Sequence, residues 1–203
     1  MKLRHSCYRQ LHRHVFDKEQ KNFPRWRDYK IIKFPSDLIL YAQAILENKP
    51  DIIIETGTAW GGSAMFFADM LELTGKGRVI TVDLEPRSTP IHPRVTSIIG
   101  RSTSVETLDK VRSMVNPGDE VMVTLDSDHR TFHVKRELYH YSPMVTQGQF
   151  LVVEDCYYDT TPKPPAVAVD WFKKTMRGRR FNHTDYDKQF GAAVSQYGWL
   201  RRI

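Results

Sequence analysis

The chain is poor in cysteine and has no long hydrophobic run. Of its 203 residues only Cys7 and Cys156 are cysteine, far apart and outside any CxxC or metal-ligand spacing. A disulfide framework and a structural zinc are therefore excluded as what holds the fold, and a reduced intracellular compartment is expected. A chain of this length buries roughly 70% of its unfolded surface and needs neither. No stretch approaches the roughly 18 apolar residues of a membrane span. The basic start MKLRHSCYRQLHRHVF lacks the apolar centre of a signal peptide, so a soluble, cytoplasmic protein with no membrane span is expected. Two nucleotide signatures are also missing: there is no GxGxxG and no GxxxxGK followed by Ser or Thr.

What is present begins with an uneven charge. The formal net charge is +6, and residues 1–30 carry nine of the 30 Lys plus Arg but three of the 24 Asp plus Glu, leaving 21 of each for the rest. The body is neutral and only the arm is basic. Arg4, Arg9, Arg13, Arg25 and Arg27 are interleaved with Tyr8, Phe16, Phe23 and Trp26. Such an arm reads either as a phosphate-binding or anionic-surface segment, or as a helix packed by its aromatic residues and solvated by its charges. The second reading makes nucleic acid an unlikely partner. A division follows, with residues 1–34 as a basic N-terminal extension and 35–203 as one α/β domain.

Apolar and polar periods alternate along that domain. A helix capped by Ser36 is expected to end near Asn48, before Pro50, and DIIIE (51–55) has the unbroken β-branched character of a strand covered on both faces. GRVITVDLE, RVTSIIG, EVMVTLDSDH and GQFLVVED read as further strands, separated by helices, with RRFNHTDY and AAVSQYGWLRRI as closing strands. This alternation predicts a mostly parallel sheet with helices on both faces. Ligands of such sheets bind beyond the carboxyl ends of the strands.

Chemistry-bearing residues fall on those ends. After Glu55 comes Thr56-Gly57-Thr58-Ala59-Trp60-Gly61-Gly62-Ser63, a glycine-rich turn into a helix that presents amides to a ligand. The second strand ends with Asp83 and Glu85, where a carboxylate accepts from both hydroxyls of a ribose. The third leads to Gly100-Arg101-Ser102, beside which an adenine ring would lie, although GRSTS also reads as a helix cap. Asp126, Asp128, Glu154 and Asp155 end the fourth and fifth strands, and carboxylates brought together call for a cation. An all-oxygen set favours Mg²⁺, Mn²⁺ or Ca²⁺; helix capping, or pairing with Arg130, Lys135 or Arg136, is the structural alternative. His129 stands where an imidazole takes a proton from a metal-acidified hydroxyl, or merely caps a helix. His183-Thr184-Asp185 spells HxD, part of an Fe(II) facial triad, but no clear second His completes it.

IIIETGTAWGGSAMFFA, VITVDLEPR, LDSDH and LVVEDCYYD, in this order, resemble the cephalosporin hydroxylase and rhamnosyl O-methyltransferase family over residues 35–200. The resemblance implies the Rossmann-like class I S-adenosylmethionine-dependent methyltransferase fold, with a seven-stranded, mostly parallel sheet. It implies S-adenosylmethionine held by Gly57, Gly61, Gly62, Ser63 and Asp83, with Glu55, Thr58 and Ser102 beside them. It further implies Mg²⁺ held by Glu154, Asp155 and one or both of Asp126 and Asp128. The expected activity is O-methylation by direct displacement on a sugar or small-molecule hydroxyl, with Asp126 and His129 as catalytic groups. The loop Tyr157–Pro165 is a candidate lid, and Trp60 either faces substrate or packs. A homo-oligomer is left open. The rival readings are an accessory subunit of the same fold that docks through its basic arm, and an NAD-dependent oxidoreductase, which the missing GxGxxG disfavours.

Overall fold

The computed structural model describes residues 24–156, 164–184, 186 and 197–203. A short hairpin, β1 (Arg25–Trp26) and β2 (Tyr29–Lys30), precedes helix α1 (Pro35–Asn48). Then follow β3 (Ile52–Thr56), α2 (Gly62–Thr74), β4 (Arg78–Asp83), β5 (Val95–Ile99), α3 (Val105–Ser113), β6 (Val121–Leu125) and α4 (Thr131–Tyr141). The chain continues through β7 (Phe150–Val153), α5 (Pro164–Lys173), β8 (Phe181–His183) and β9 (Trp199–Arg202).

Seven strands form one sheet in the order β5-β4-β3-β6-β7-β9-β8. β5, β4, β3, β6 and β7 run parallel, and β9 is antiparallel to both of its neighbours. The strand order reverses direction at β3, which lies between β4 and β6, so the crevice for a ligand opens beyond the ends of β3 and β6. β3 shows why its sequence carries no alternation: Ile52 and Ile54 pack on one face with Leu108, Val111, Leu138 and Phe172, while Ile53 packs on the other with Tyr41, Ala44, Phe67 and Trp199. Both faces are apolar because helices cover both.

Two sequence expectations shift. The first helix begins at Pro35, with Phe34 rather than Ser36 in the capping position. Proline has no N–H to satisfy and its fixed φ suits the first helical residue, so Ser36 falls two positions inside the cap. In GRSTS the cap alternative is realised, since the Ser104 side chain accepts from the Thr107 amide that opens α3.

The boundary at 34/35 also falls inside packed structure. Ile31 and Phe34 are each 2% exposed, and the Trp26 ring meets Phe66 edge-on at 4.9 Å. The Trp26 indole donates to Asp69 at 2.8 Å, and Arg27 donates to the same carboxylate at 2.6 and 2.9 Å. Residues 25–30 form a hairpin, where the packing alternative for the arm expected a helix, and Trp26 and Arg27 hold it on α2; residues 1–23 lie outside the described residues. Among the described residues no helix is long and apolar enough to cross a membrane.

Candidate functional site

The glycine-rich turn is shaped by two close approaches of the chain to itself. Gly57 has φ +94°, and a Cβ there would lie 2.0 Å from the Asp126 carbonyl oxygen. A Cβ on Gly62 would lie 2.3 Å from the carbonyl oxygen of Lys30. The glycines therefore let the end of β6 and the end of β2 close against the turn.

Beneath the turn lies Glu55, fully buried, accepting from the hydroxyls of Ser63 and Thr81. Thr58 is also buried and shares a 2.6 Å hydroxyl contact with Thr81. Burial lifts the Glu55 carboxyl to about 7, against the opposing pull of Lys33 and the two hydroxyls. A folded pKa above the unfolded value near 4.5 means that the folded chain holds this proton more tightly. The stability it contributes is complete below pH 4.5 and is lost as pH rises through about 7. Glu55→Gln is expected to flatten that decline, worth up to about 3 kcal/mol, in urea unfolding measured across this range.

Asp83, at the end of β4, accepts from the Ala59 amide at 2.8 Å and the Glu85 amide at 3.0 Å, so it stands against the turn. Ser102 is placed differently. It is buried, and its hydroxyl meets His133 Nε2 at 3.1 Å. His133 also meets Ser127, which donates to Glu137 at 2.7 Å. Ser102 therefore belongs to an internal polar network behind the turn, and its side chain is already engaged there.

A cavity of about 330 Å³ opens at the switch point. Its wall brings together Gly57, Thr58, Gly62, Ser63, Asp126, His129, Glu154 and Asp155, with Lys30, Lys33 and Trp60. Trp60 has Lys30 Nζ 4.3 Å and the Arg87 guanidinium 5.5 Å from its ring centre, so it both packs and faces the cavity.

The acidic residues divide into three kinds. Asp126, at the end of β6, and Asp155, at the end of β7 with φ +55°, are bridged by His129: Nε2 is 3.2 Å from Asp126 and Nδ1 2.9 Å from Asp155. One ligand atom from each of the three lies within 4.8 Å of the other two. Glu154 is 5% exposed and turned inward, accepting from Tyr41 and from Lys33 at 3.1 Å. Asp128 is turned away to Arg130, which donates to it at 2.9 and 3.0 Å and holds it down at about 2. The sequence leaves Asp126 and Asp128 undecided as the fourth-strand ligand. In the structure Asp126 joins the cluster and Asp128 does not, because residue 126 closes the strand and residue 128 has left it for the turn into α4.

His129 lies between two carboxylates. Burial opposes its charge, but hydrogen bonds to Asp126 and Asp155 outweigh this and raise it to about 10. In this arrangement the ring clamps Asp126 to Asp155. His183 lies on β8 at the far edge of the sheet, its ring on the Tyr197 carbonyl at 2.8 Å. Asp185 and residues 157–163 of the expected lid lie outside the described residues.

None of the motifs marks Lys33. Its side chain is 2% exposed, with Nζ 2.9 Å from Asp126 and 3.1 Å from Glu154. Burial works against its charge, yet Asp126, Glu154 and Glu55 keep it well above the usual lysine value. Lys33 in turn lowers Asp126, whose burial alone would raise it. The available signal is a single cation in the otherwise apolar run Ile31-Ile32-Lys33-Phe34.

The family description Rhamnosyl O-methyltransferase/CmcI matches residues 18–203. Rhamnosyl O-methyltransferase of Mycobacterium leprae is 28% identical over 209 residues, covering 97% of this chain and 91% of its own. The protein of that name from Mycobacterium tuberculosis H37Rv is 29% identical over 184 residues, covering 84% and 74%. An apo structure of CmcI superposes with a TM-score of 0.67 at 21% identity, covering 89% of this chain and 76% of that one. A CmcI structure with Mg and SAM gives 0.65 at 19%, with the same coverage. The likeness to these structures confirms the class I methyltransferase fold, and the match over residues 18–203 establishes that the chain belongs to the Rhamnosyl O-methyltransferase/CmcI family.

Proposed function

We propose that the protein is an S-adenosylmethionine-dependent, Mg²⁺-assisted O-methyltransferase acting on a hydroxyl of a sugar or small molecule. The observation that carries this reading is the convergence of the glycine-rich turn and the Asp126–His129–Asp155 cluster on one cavity at the sheet's switch point. Mycobacterial relatives are named for a rhamnosyl acceptor and one CmcI structure holds Mg and SAM, which supports extending both cofactors and the acceptor class to this chain. Its two cysteines, outside any disulfide spacing, support a cytoplasmic site of action.

The residues fit the two groups. Carboxylate oxygens of Asp126 and Asp155 suit a hard divalent cation, with Glu154 behind them. Asp83 beside the turn suits a ribose diol. When bound, Mg²⁺ acidifies the acceptor hydroxyl and S-adenosylmethionine supplies the methyl group. The chain's own contribution is placement. Gly57 holds the turn against the end of β6 and Gly62 holds it against Lys30 and Ile31, His129 and Lys33 keep Asp126 ionised and aimed, and Trp60 with Lys30 walls the approach. Such positioning is worth several kcal/mol of the barrier.

Calorimetric titration of S-adenosylmethionine and S-adenosylhomocysteine, with Mg²⁺ and then with EDTA, tests the reading. Micromolar binding and a separate saturable Mg²⁺ heat are expected; absence of nucleoside binding overturns it. Asp128→Asn is expected to change Mg²⁺ affinity by no more than about twofold, since an exposed ion pair such as Asp128–Arg130 is worth little. Loss of Mg²⁺ binding in that variant would move the metal to Asp128.

A further inference from the structure

Asp126 uses its two oxygens for opposite purposes. Oδ2 faces inward to Lys33 at 2.9 Å, and Oδ1 faces outward to His129 at 3.2 Å. Glu154 Oε1 is taken on the inward side by Lys33 and Tyr41. The ammonium therefore occupies the gap between Asp126 and Glu154, delivered by a segment 93 residues from the first and 121 from the second. The Tyr41 ring lies 5.7 Å from Nζ and closes the pocket behind it. A buried carboxylate pair is tolerated only when neutralised, and here the chain supplies its own cation.

We propose that Lys33 is a tethered cation that neutralises the inward half of the acidic cluster, confines the divalent ion to the outward oxygens of Asp126 and Asp155, and weakens its binding. This inference rests on the metal reading above. Lys33 stands on one side of Asp126 and the ion would stand on the other, at the oxygen that here meets His129, so the two positive charges repel across a single carboxylate. The arrangement keeps the site assembled between turnovers and makes the ion exchangeable. A lysine that merely bonds the N-terminal segment to the sheet would affect stability and leave metal affinity alone.

The test is metal binding, read without turnover. Mn²⁺ is titrated into the full-length chain without nucleoside, by electron paramagnetic resonance of the free ion, and Mg²⁺ is measured by competition. Lys33→Gln keeps a hydrogen-bond donor and removes the charge; Lys33→Met removes both. Removing a unit charge this close is expected to tighten divalent binding by about tenfold or more in each variant. The gap in melting temperature between EDTA and Mg²⁺ is expected to widen as well. A variant that folds in Mg²⁺ but not in EDTA supports the proposal, because the ion has then replaced the ammonium. Metal binding by the wild type with unchanged or weaker affinity in Lys33→Gln overturns the role of Lys33 alone. Absence of divalent binding in wild type and variants overturns both this inference and the metal reading.

Discussion

Asp126→Asn is expected to lower kcat/KM by about 10²- to 10³-fold, or roughly 3–4 kcal/mol of transition-state stabilisation. Asparagine keeps the volume and one acceptor but removes the charge that Lys33 and His129 share. Lys33 would be left with Glu154 alone, His129 would lose one of its two ionic acceptors, and the outward oxygen that faces the cavity would no longer be anionic. The fold should survive, because the Asp126 backbone amide still bonds to the Thr56 carbonyl at 2.9 Å. The measurement is S-adenosylhomocysteine release over a Mg²⁺ titration, with circular dichroism as the control for folding. Turnover within threefold of wild type would remove Asp126 from the site's chemistry.

Gly57→Ala is expected to cost about 3–5 kcal/mol of stability, combining left-handed backbone strain with overpacking. The added methyl would meet the Asp126 carbonyl at 2.0 Å and its carbon at 2.6 Å, backbone atoms at the end of a central strand that have no rotamer by which to retreat. The Gly57 amide also bonds to the Val82 carbonyl at 2.7 Å, so rotation away from the clash would break the link to β4. For a chain of this size such a loss lowers the melting temperature by about 10–15 °C. Thermal unfolding followed by circular dichroism measures it. The matching change at Gly75, which also has positive φ but nothing within 4 Å of a Cβ, separates strain from clash. If Gly57→Ala costs no more than Gly75→Ala, close approach does not explain Gly57.

Much of this architecture is legible along the chain because it depends on local order. The runs DIIIE, VITVD, VMVTL and LVV are apolar without alternation, and only a parallel sheet covered on both sides buries them fully. The acids that follow those strands reach one cavity, which Asp126, Glu154 and Asp155 all line. Two residues of separation hide the difference between Asp126 and Asp128. The first directly follows the last residue of β6 and the second already serves Arg130, a distinction of chain direction that composition does not carry.

Other features answer to distance across the fold. Ser102 and Asp83 both follow strand ends, yet Asp83 stands on the glycine-rich turn while Ser102 is absorbed by His133, because β4 adjoins β3 and β5 lies at the sheet's edge. His129 reads as a base from its neighbours in sequence. Only the closure of β7 beside β6 brings it the second carboxylate, Asp155.

By itself the sequence determined the α/β class, the mostly parallel sheet, the glycine-rich turn and the family. Each of these is written in short-range period, turn chemistry or contiguous motifs. Tertiary structure alone decided the partners of each charge: Lys33 between Asp126 and Glu154, and His129 between Asp126 and Asp155. The reason is electrostatic. A buried charge is defined by what lies within a few ångströms of it, and here those groups come from β6, β7 and a segment about a hundred residues earlier, which no local pattern brings together.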